Sequence, residues 1–163
     1  MDRLAASIRA EGRAWENIIA YSTEEVIRQR AAPEAVGWML SAWITAVTLY
    51  DAHSPTIPLL TDPSVIGSWG RLVEPSKNAR GFRTGHVRVG ARLCPPPEDL
   101  ERLMKQFCAR VYALMPEEAY REFQEIHPFF DGNGRTGKIL FNWLNGTLRD
   151  PMMPPNFFSC ANP

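Results

Sequence analysis

Leu4, Ile8, Glu11, Trp15 and Ile18 follow one another at alternating steps of four and three, the recurrence of one helix face, and predict an amphipathic helix over 2–21. One of those positions is a glutamate. Ser22-Thr23-Glu24-Glu25 reads as a cap with early acids and predicts a second helix through Arg30, because a hydroxyl satisfies a first-turn N–H and acids suit the positive end of the helix dipole. Val36, Trp38, Met39, Trp43, Ile44 and Val47 then lie on more than one face of a third helix, Pro33 to about Tyr50, as in a helix surrounded by others. After a loop rich in Pro, Ser and Thr, Thr61-Asp62-Pro63 predicts a shorter helix through Leu72, with proline in the first turn, where its missing N–H is no loss.

From Phe82 to Leu93 the period changes. Arg83, Thr84, His86, Arg88 and Arg92 are interleaved with Val87, Val89, Gly85 and Gly90, which predicts a short β-hairpin. Pro95-Pro96-Pro97 cannot continue a ladder, and Glu98-Asp99 opens a helix whose Leu100, Leu103, Met104, Phe107, Val111 and Leu114 keep the helical period. Pro116-Glu117-Glu118 starts another, presenting Tyr120, Phe123 and Ile126 and ending at His127-Pro128, since a residue before proline is pushed out of the helical region. Ile139, Leu140, Trp143 and Leu144 form the apolar side of a last helix. The tail from Asp150 is rich in proline and predicts an irregular strap.

Composition narrows the classes of function. With 163 residues, 45% hydrophobic and 22% charged, the chain reads as one packed domain. Its 18 basic and 18 acidic residues cancel, so no overall field suggests a nucleic-acid or membrane-surface binder, and any anion needs a local site. Cys94, Cys108 and Cys160 lack metal-ligand spacing and read as free thiols. No apolar run is long enough to span a bilayer and the amino terminus does not read as a signal peptide, so the expectation is a cytoplasmic protein.

The chemistry concentrates in His127-Pro128-Phe129-Phe130-Asp131-Gly132-Asn133-Gly134-Arg135-Thr136-Gly137-Lys138. Glycines at the mouth of a helix remove side chains that would keep an anion from the unpaired first-turn N–H groups, so Gly132, Asn133 and Gly134 form a candidate phosphate cradle. Arg135 and Lys138 are three residues apart, a spacing that puts both cations on one side of the first turns. Asp131 offers a hard oxygen for Mg²⁺ beside the phosphates, and His127, with an ordinary pKa of about 6.5, is a candidate general base. Gly132 to Lys138 also fits the opening of a P-loop, but Ile139 stands where that motif needs Ser or Thr, and a helix precedes it instead of a strand.

This segment closely resembles the signature of the Fic family, H-P-F-x-[DE]-G-N-G-R-x-x-R, and departs from it only at Lys138. The resemblance extends through Phe123-Gln124-Glu125-Ile126, through Gly81 to Gly90 and through Pro95-Pro96-Pro97. It implies an all-α Fic fold with a β-hairpin flap, and an enzyme that moves AMP from ATP to a hydroxyl of a target protein. By the same resemblance His127 is the base, Asp131 holds Mg²⁺, Gly132, Asn133 and Gly134 hold the α-phosphate, and Arg135 holds the outer phosphates. The flap, Phe82 to Leu93 with Arg83, Thr84, Gly85, His86, Val87 and Arg88, pairs with the target's extended segment.

At position 138 the family's arginine forks onto the γ-phosphate, whereas lysine is a point charge on a flexible stem. Ser7-Ile8-Arg9-Ala10-Glu11-Gly12 matches the family's inhibitory pattern [ST]-x-x-x-E-[GN]. That match makes 1–21 an inhibitory helix in which Glu11, with Ser7 one turn before it, pairs with Lys138. The rivals are a catalytically silent Fic-fold binding module, one half of a toxin–antitoxin pair, or a Fic enzyme that phosphorylates, removes AMP or transfers another nucleotide. The target protein and the oligomeric state are not legible.

Overall fold

The structure is a computed structural model that describes residues 2–53 and 57–156, the side chains of 2–5 and 8 excepted. Residues 54–56 of the Pro/Ser/Thr loop, the tail beyond 156 with Cys160, and the side chains of Leu4 and Ile8 lie outside the described residues. Six helices are present among the described residues: α1 (Asp2–Arg28), α2 (Ala35–His53), α3 (Pro63–Val73), α4 (Leu100–Arg110), α5 (Pro116–Ile126) and α6 (Asn133–Asn145). Two short strands, β1 (Arg88–Val89) and β2 (Arg92–Leu93), pair antiparallel between α3 and α4. The fold class is the expected one, mostly helical with a small hairpin.

The amino-terminal helix is longer than expected. α1 runs without a break through Ser22, which is buried and caps nothing. Neither proline nor glycine interrupts 13–28, and Thr23 turns its hydroxyl back to donate to the carbonyl of Ile19 (2.8 Å), a bond compatible with a helix interior. The buried side of α1 is therefore Ile18, Tyr21, Ser22, Glu25 and Val26, while Ser7, Glu11 and most of its first half face solvent. α3 starts as expected, with Asp62 accepting from the N–H of Ser64 (2.8 Å) and Pro63 in the first turn. The helix after the proline run begins and ends in tight 3₁₀ turns, Pro97–Asp99 and Val111–Ala113, so its α-helical part is shorter than expected.

α6 is the central helix. Arg135 through Trp143 are all buried on it, against α5 on one side and α2 and α3 on the other. Aromatic side chains fill these seams: Trp69 and Tyr50 lie against Trp143 with ring centroids 5.3 and 5.1 Å apart, and Tyr21 lies against Trp43 at 5.4 Å. Close approach of α5 and α6 depends on Gly137, because a Cβ there would run into the Gln124 side chain. Phe129 is fully buried over Gly70 of α3, with Phe82 and Phe123 against its ring, and this packing anchors the segment between α5 and α6.

The hairpin pairs only Val89 with Arg92 and Arg88 with Leu93, across a turn in which Gly90 takes a positive φ of 58°. Residues 82–87 form an arm, bent at Phe82, Thr84 and Gly85, instead of a strand. The N–H of Arg83 donates to the carbonyl of Pro128 (2.8 Å), so this arm lies along the α5–α6 connection.

Candidate active site

His127 ends α5 in a left-handed conformation, φ 52° and ψ 60°, leaving the helix through the αL region and not by extension. Pro128 has no N–H, so the carbonyl of Gln124, which would have received it, is open to other donors. The His127 ring turns back to place Nδ1 3.4 Å from that oxygen. A ring that donates from Nδ1 keeps Nε2 as its basic nitrogen. The imidazole is half-buried, and its pKa is lowered, chiefly by that burial; the Gln124 carbonyl works the other way, Arg92 and Arg83 lower it further, and Asp131 opposes them.

The connection from His127 to α6 is stapled by Asn133. Its side chain accepts from the N–H of Phe129 (2.9 Å) and donates to the carbonyl of Phe129 (2.8 Å), while Gln124 donates to the carbonyl of Asn133 (3.0 Å). Gly132 takes a positive φ of 75°, and a Cβ there would lie 2.7 Å from Val73. Only glycine fits this turn without strain. The first helical turn thus opens from Gly132, Asn133 and Gly134 as the sequence predicts.

Asp131 stands at the mouth of this turn, accepting from the N–H of Gly132 (2.6 Å) and paired with the Lys77 ammonium. Asn78 holds the segment from behind, donating to the carbonyls of Asp131 (2.8 Å) and Gly70 (2.9 Å). Burial alone would raise the Asp131 pKa, but Lys77, the Gly132 N–H and Arg135 outweigh it and leave the carboxyl below its ordinary value. It stays ionised at neutral pH.

The two motif cations do not converge, contrary to their spacing. Arg135 is 1% exposed and donates to the carbonyl of Val73 (3.0 Å) and to Glu74 (3.2 Å), with Asp131 at 3.6 Å. It ties α6 to the end of α3. Lys138, also 1% exposed, forms an ion pair with Glu25, and beyond that carboxylate its ammonium has no hydrogen-bond partner among the described residues. Burial lowers the Lys138 pKa, and Glu25 acts against that shift.

Glu25 corrects the expected partner of Lys138. The expected residue, Glu11, is exposed more than three helical turns away along α1, as is Ser7. Glu25 is 1% exposed and also holds Arg28 (2.6 Å) and the side-chain amide of Gln29. Gln29 is packed over the cradle so closely that a Cβ on Gly134 would lie 2.8 Å from its Nε2. The last turn of α1 therefore closes the mouth of α6. Continuing the three-and-four spacing from Ile18 leads to Tyr21, Ser22, Glu25 and Gln29, so the apolar stripe runs on through Ser22 and carries Glu25 to this site.

Beside this closure a cavity of about 390 Å³ is lined by Gln29, Trp38, Glu74, Lys77, Asp131 and Arg135. A larger one, about 970 Å³, opens between α4 and α5 and includes none of residues 127–138. The smaller cavity is the one beside the chemistry. Of the flap residues, Thr84, His86 and Arg88 are exposed and Gly85 and Val87 half-buried, but Arg83 is 2% exposed. Arg83 donates to the carbonyls of His127 (2.8 Å), Gly85 (2.8 Å) and Pro95 (2.6 Å), which makes it a strut of the site and removes it from the docking face. Lys77, Asn78 and Glu74 carry no motif of their own in the sequence, and Gln124 lies in the stretch Phe123-Gln124-Glu125-Ile126 without a role assigned to it.

Cys94 and Cys108 are free and buried, and burial pushes the Cys108 thiol up to about 12, so it has no nucleophile's role at neutral pH. No helix among the described residues is long and apolar enough to cross a membrane.

Residues 43–145 match the Fic/DOC family. Protein adenylyltransferase Fic of Drosophila erecta is 39% identical over 72 residues, and that of Drosophila persimilis 40% identical over 72 residues. In each case the match covers 39% of this chain and 14% of the relative, so the chain spans a small part of the length of these curated proteins. A Fic family protein from Desulfovibrio desulfuricans G20, known as a crystal structure, superposes with a TM-score of 0.55 at 15% identity, over 88% of this chain and 49% of that one. That likeness is one of fold.

Proposed function

Since the chain belongs to the Fic/DOC family, we propose that it is a protein adenylyltransferase, transferring AMP from ATP to a hydroxyl side chain of a target protein, and that its resting state is self-inhibited through Glu25. The observation that carries this reading is the buried Lys138 ammonium at the mouth of α6, held by one carboxylate and by no other acceptor among the described residues. A buried cation with unfilled donor capacity, on a helix whose first-turn N–H groups would be uncovered once Gln29 moves aside, is what a polyphosphate needs.

In the proposed reaction the target hydroxyl lies against Nε2 of His127, which takes its proton as the oxygen attacks the α-phosphorus. The new P–O bond forms in line with the breaking bond to the β-phosphate oxygen, and pyrophosphate leaves. The N–H groups of Asn133 and Gly134 stabilise charge gathering on the α-phosphate oxygens. Lys138, released from Glu25, takes an outer phosphate. Arg135 reaches the phosphates only by leaving Val73 and Glu74, so its role here is to fix the start of α6 beside Asp131.

The donor set fits Mg²⁺. Asp131 is an ionised, half-buried carboxylate next to the cradle, and this ion is usually bound by one or two carboxylates with phosphate oxygens and water. When bound, the ion would neutralise phosphate charge. Lys77 pairs with the same carboxylate and would have to yield it.

Target recognition falls to the exposed side of the flap, where Thr84, His86 and Arg88 alternate and the strand edge is open to main-chain pairing. A catalytically silent binding module is the second reading, favoured by the closed Glu25–Lys138 pair. Incubating the parent and Glu25→Gln with Mg²⁺, cell lysate and ATP labelled on either the α- or γ-phosphate separates them. Label from the α-phosphate alone on protein is expected, and stronger with the variant. Label from the γ-phosphate means phosphorylation, and no label with either protein means a silent module.

A further inference from the structure

Two carbonyls at the end of α5 lose their helical donors for different reasons. That of Gln124 has Pro128 where a donor should be, and that of Glu125 loses the N–H of Phe129 to the Asn133 side chain. Both are satisfied from the flap. Arg92, at the start of β2, donates through Nη2 to Gln124 (3.1 Å) and through Nη1 to Glu125 (2.9 Å). A guanidinium fork spanning the last carbonyls of a helix is well matched to them in geometry and in charge.

The Gln124 oxygen is the same atom that Nδ1 of His127 approaches. A carbonyl oxygen has two lone pairs, so it can accept from both. We propose that Arg92 is a positioning residue for the base: by holding the Gln124 carbonyl from the flap side, it fixes the Nδ1–H tautomer and ring orientation of His127 and ties the base to the flap that receives the target. This rests on the reading of His127 as the base. The connection is short. β2 pairs with β1, and the opposite, exposed face of this arm is the proposed docking edge, so a target strand that stiffens the hairpin also stiffens Arg92. Arg83 differs in kind: it is buried and grips His127 through the main chain, so its removal threatens the fold itself. Arg92 is half-buried, and its two hydrogen bonds from the hairpin can be removed without opening the core.

The charged groups acting on the imidazole are Arg92, Arg83 and Asp131, and the Gln124 carbonyl is the α5 group that its ring approaches. The test therefore reads the tautomer directly. In the parent, ¹⁵N shifts of the His127 ring are expected to report a protonated Nδ1 and a bare Nε2 at pH 7.5. Arg92→Ala is expected to mix the two tautomers, and in a Glu25→Gln background to lower kcat about tenfold with the KM for ATP within about twofold, since orientation of the base acts on the chemical step and not on nucleotide binding. Arg92→Lys, which can reach one carbonyl, should recover part of the loss. Arg102→Ala, a change of the same charge at an exposed position of α4 bonded to Asp99 and Gln106, should do none of this.

Parental ring shifts and parental kcat in Arg92→Ala would overturn the inference, as would a loss confined to the KM for ATP or to thermal stability. His127→Ala separates this from failure of the parent reading. If label transfer persists without His127, the base assignment is what fails; if it vanishes while Arg92→Ala behaves as the parent, only the role of Arg92 fails. If no variant transfers label, the proposed function has failed, and the ring shifts alone still decide whether Arg92 sets the tautomer.

Discussion

Glu25→Gln is the perturbation that reads the closed site most directly. The substitution keeps the shape of the side chain and removes its charge from a position that is 1% exposed and in contact with an equally buried Lys138. Two unit charges about 3 Å apart at an effective dielectric of about 20 attract by roughly 5 kcal/mol. Removing one member of a buried pair costs about 3–5 kcal/mol of stability, because the other charge stays behind without a partner. In a chain of this size that corresponds to a fall of roughly 10 °C in Tm.

The same change frees Lys138 for phosphate and removes a carboxylate that would repel it, so ATP affinity should rise on the order of a hundredfold, about 2.7 kcal/mol. The two effects oppose one another in one assay. Without ATP the variant should melt well below the parent; with ATP and Mg²⁺ it should recover most of the difference, while the parent hardly responds. Calorimetric titration with a non-hydrolysable ATP analogue checks the affinity, and transfer of α-phosphate label checks the rate. A variant that loses stability, gains nothing from ATP and transfers no more label than the parent would show that the pair is structural. A gain produced by Glu11→Gln instead would return the inhibitory role to the exposed first half of α1.

His127 has its pKa lowered by burial, against the pull of the Gln124 carbonyl, and a base works as the neutral imidazole, so the acid limb of kcat/KM should lie below about 6.5, the ordinary histidine value; a limb above 6.5 would contradict the assignment. Asp131→Asn should abolish the Mg²⁺ dependence of nucleotide binding, and Lys77→Met should tighten Mn²⁺ binding to the nucleotide-free protein, measured by paramagnetic relaxation, because Lys77 occupies the same carboxylate; unchanged metal binding in both would remove Asp131 from the metal's shell. Gly70→Ala places a Cβ inside the ring of Phe129 and should cost about 1–3 kcal/mol by overpacking. A thermal melt within a degree of the parent would refute the packing described here.

What the sequence disclosed, and what it hid, divides along a physical line. Local signals were legible: Asp62-Pro63 opened a helix, His127-Pro128 closed one, and the glycines of 132–134 lie at the mouth of α6. Each depends on a few neighbouring residues. The expected companions of the motif failed because they depend on which distant element arrives. Arg135 and Lys138 are correctly spaced for one face, yet Glu74, just past the end of α3, draws the first aside and Glu25 from α1 holds the second. No spacing within α6 encodes the direction from which those carboxylates come.

Glu11 and Glu25 show the limit most sharply. A loose six-residue pattern selected Glu11, and helix periodicity gave it an apolar face; the same periodicity, carried on through Ser22, selects Glu25. The difference is whether a serine in a stretch without proline or glycine caps a helix or lies buried inside one, and Ser22 lies buried. A hydroxyl has alternatives to capping: Thr23 bonds back within its own helix, and the unpaired hydroxyl of Ser22 is simply covered. Packing of α1 on α2, with Tyr21 against Trp43, outweighs the local preference of Ser and Thr for helix ends, which is worth only about 1 kcal/mol. A capping signal not accompanied by a break in the apolar stripe is therefore weaker than the stripe itself, and the carboxylate that closes this site lies on the stripe.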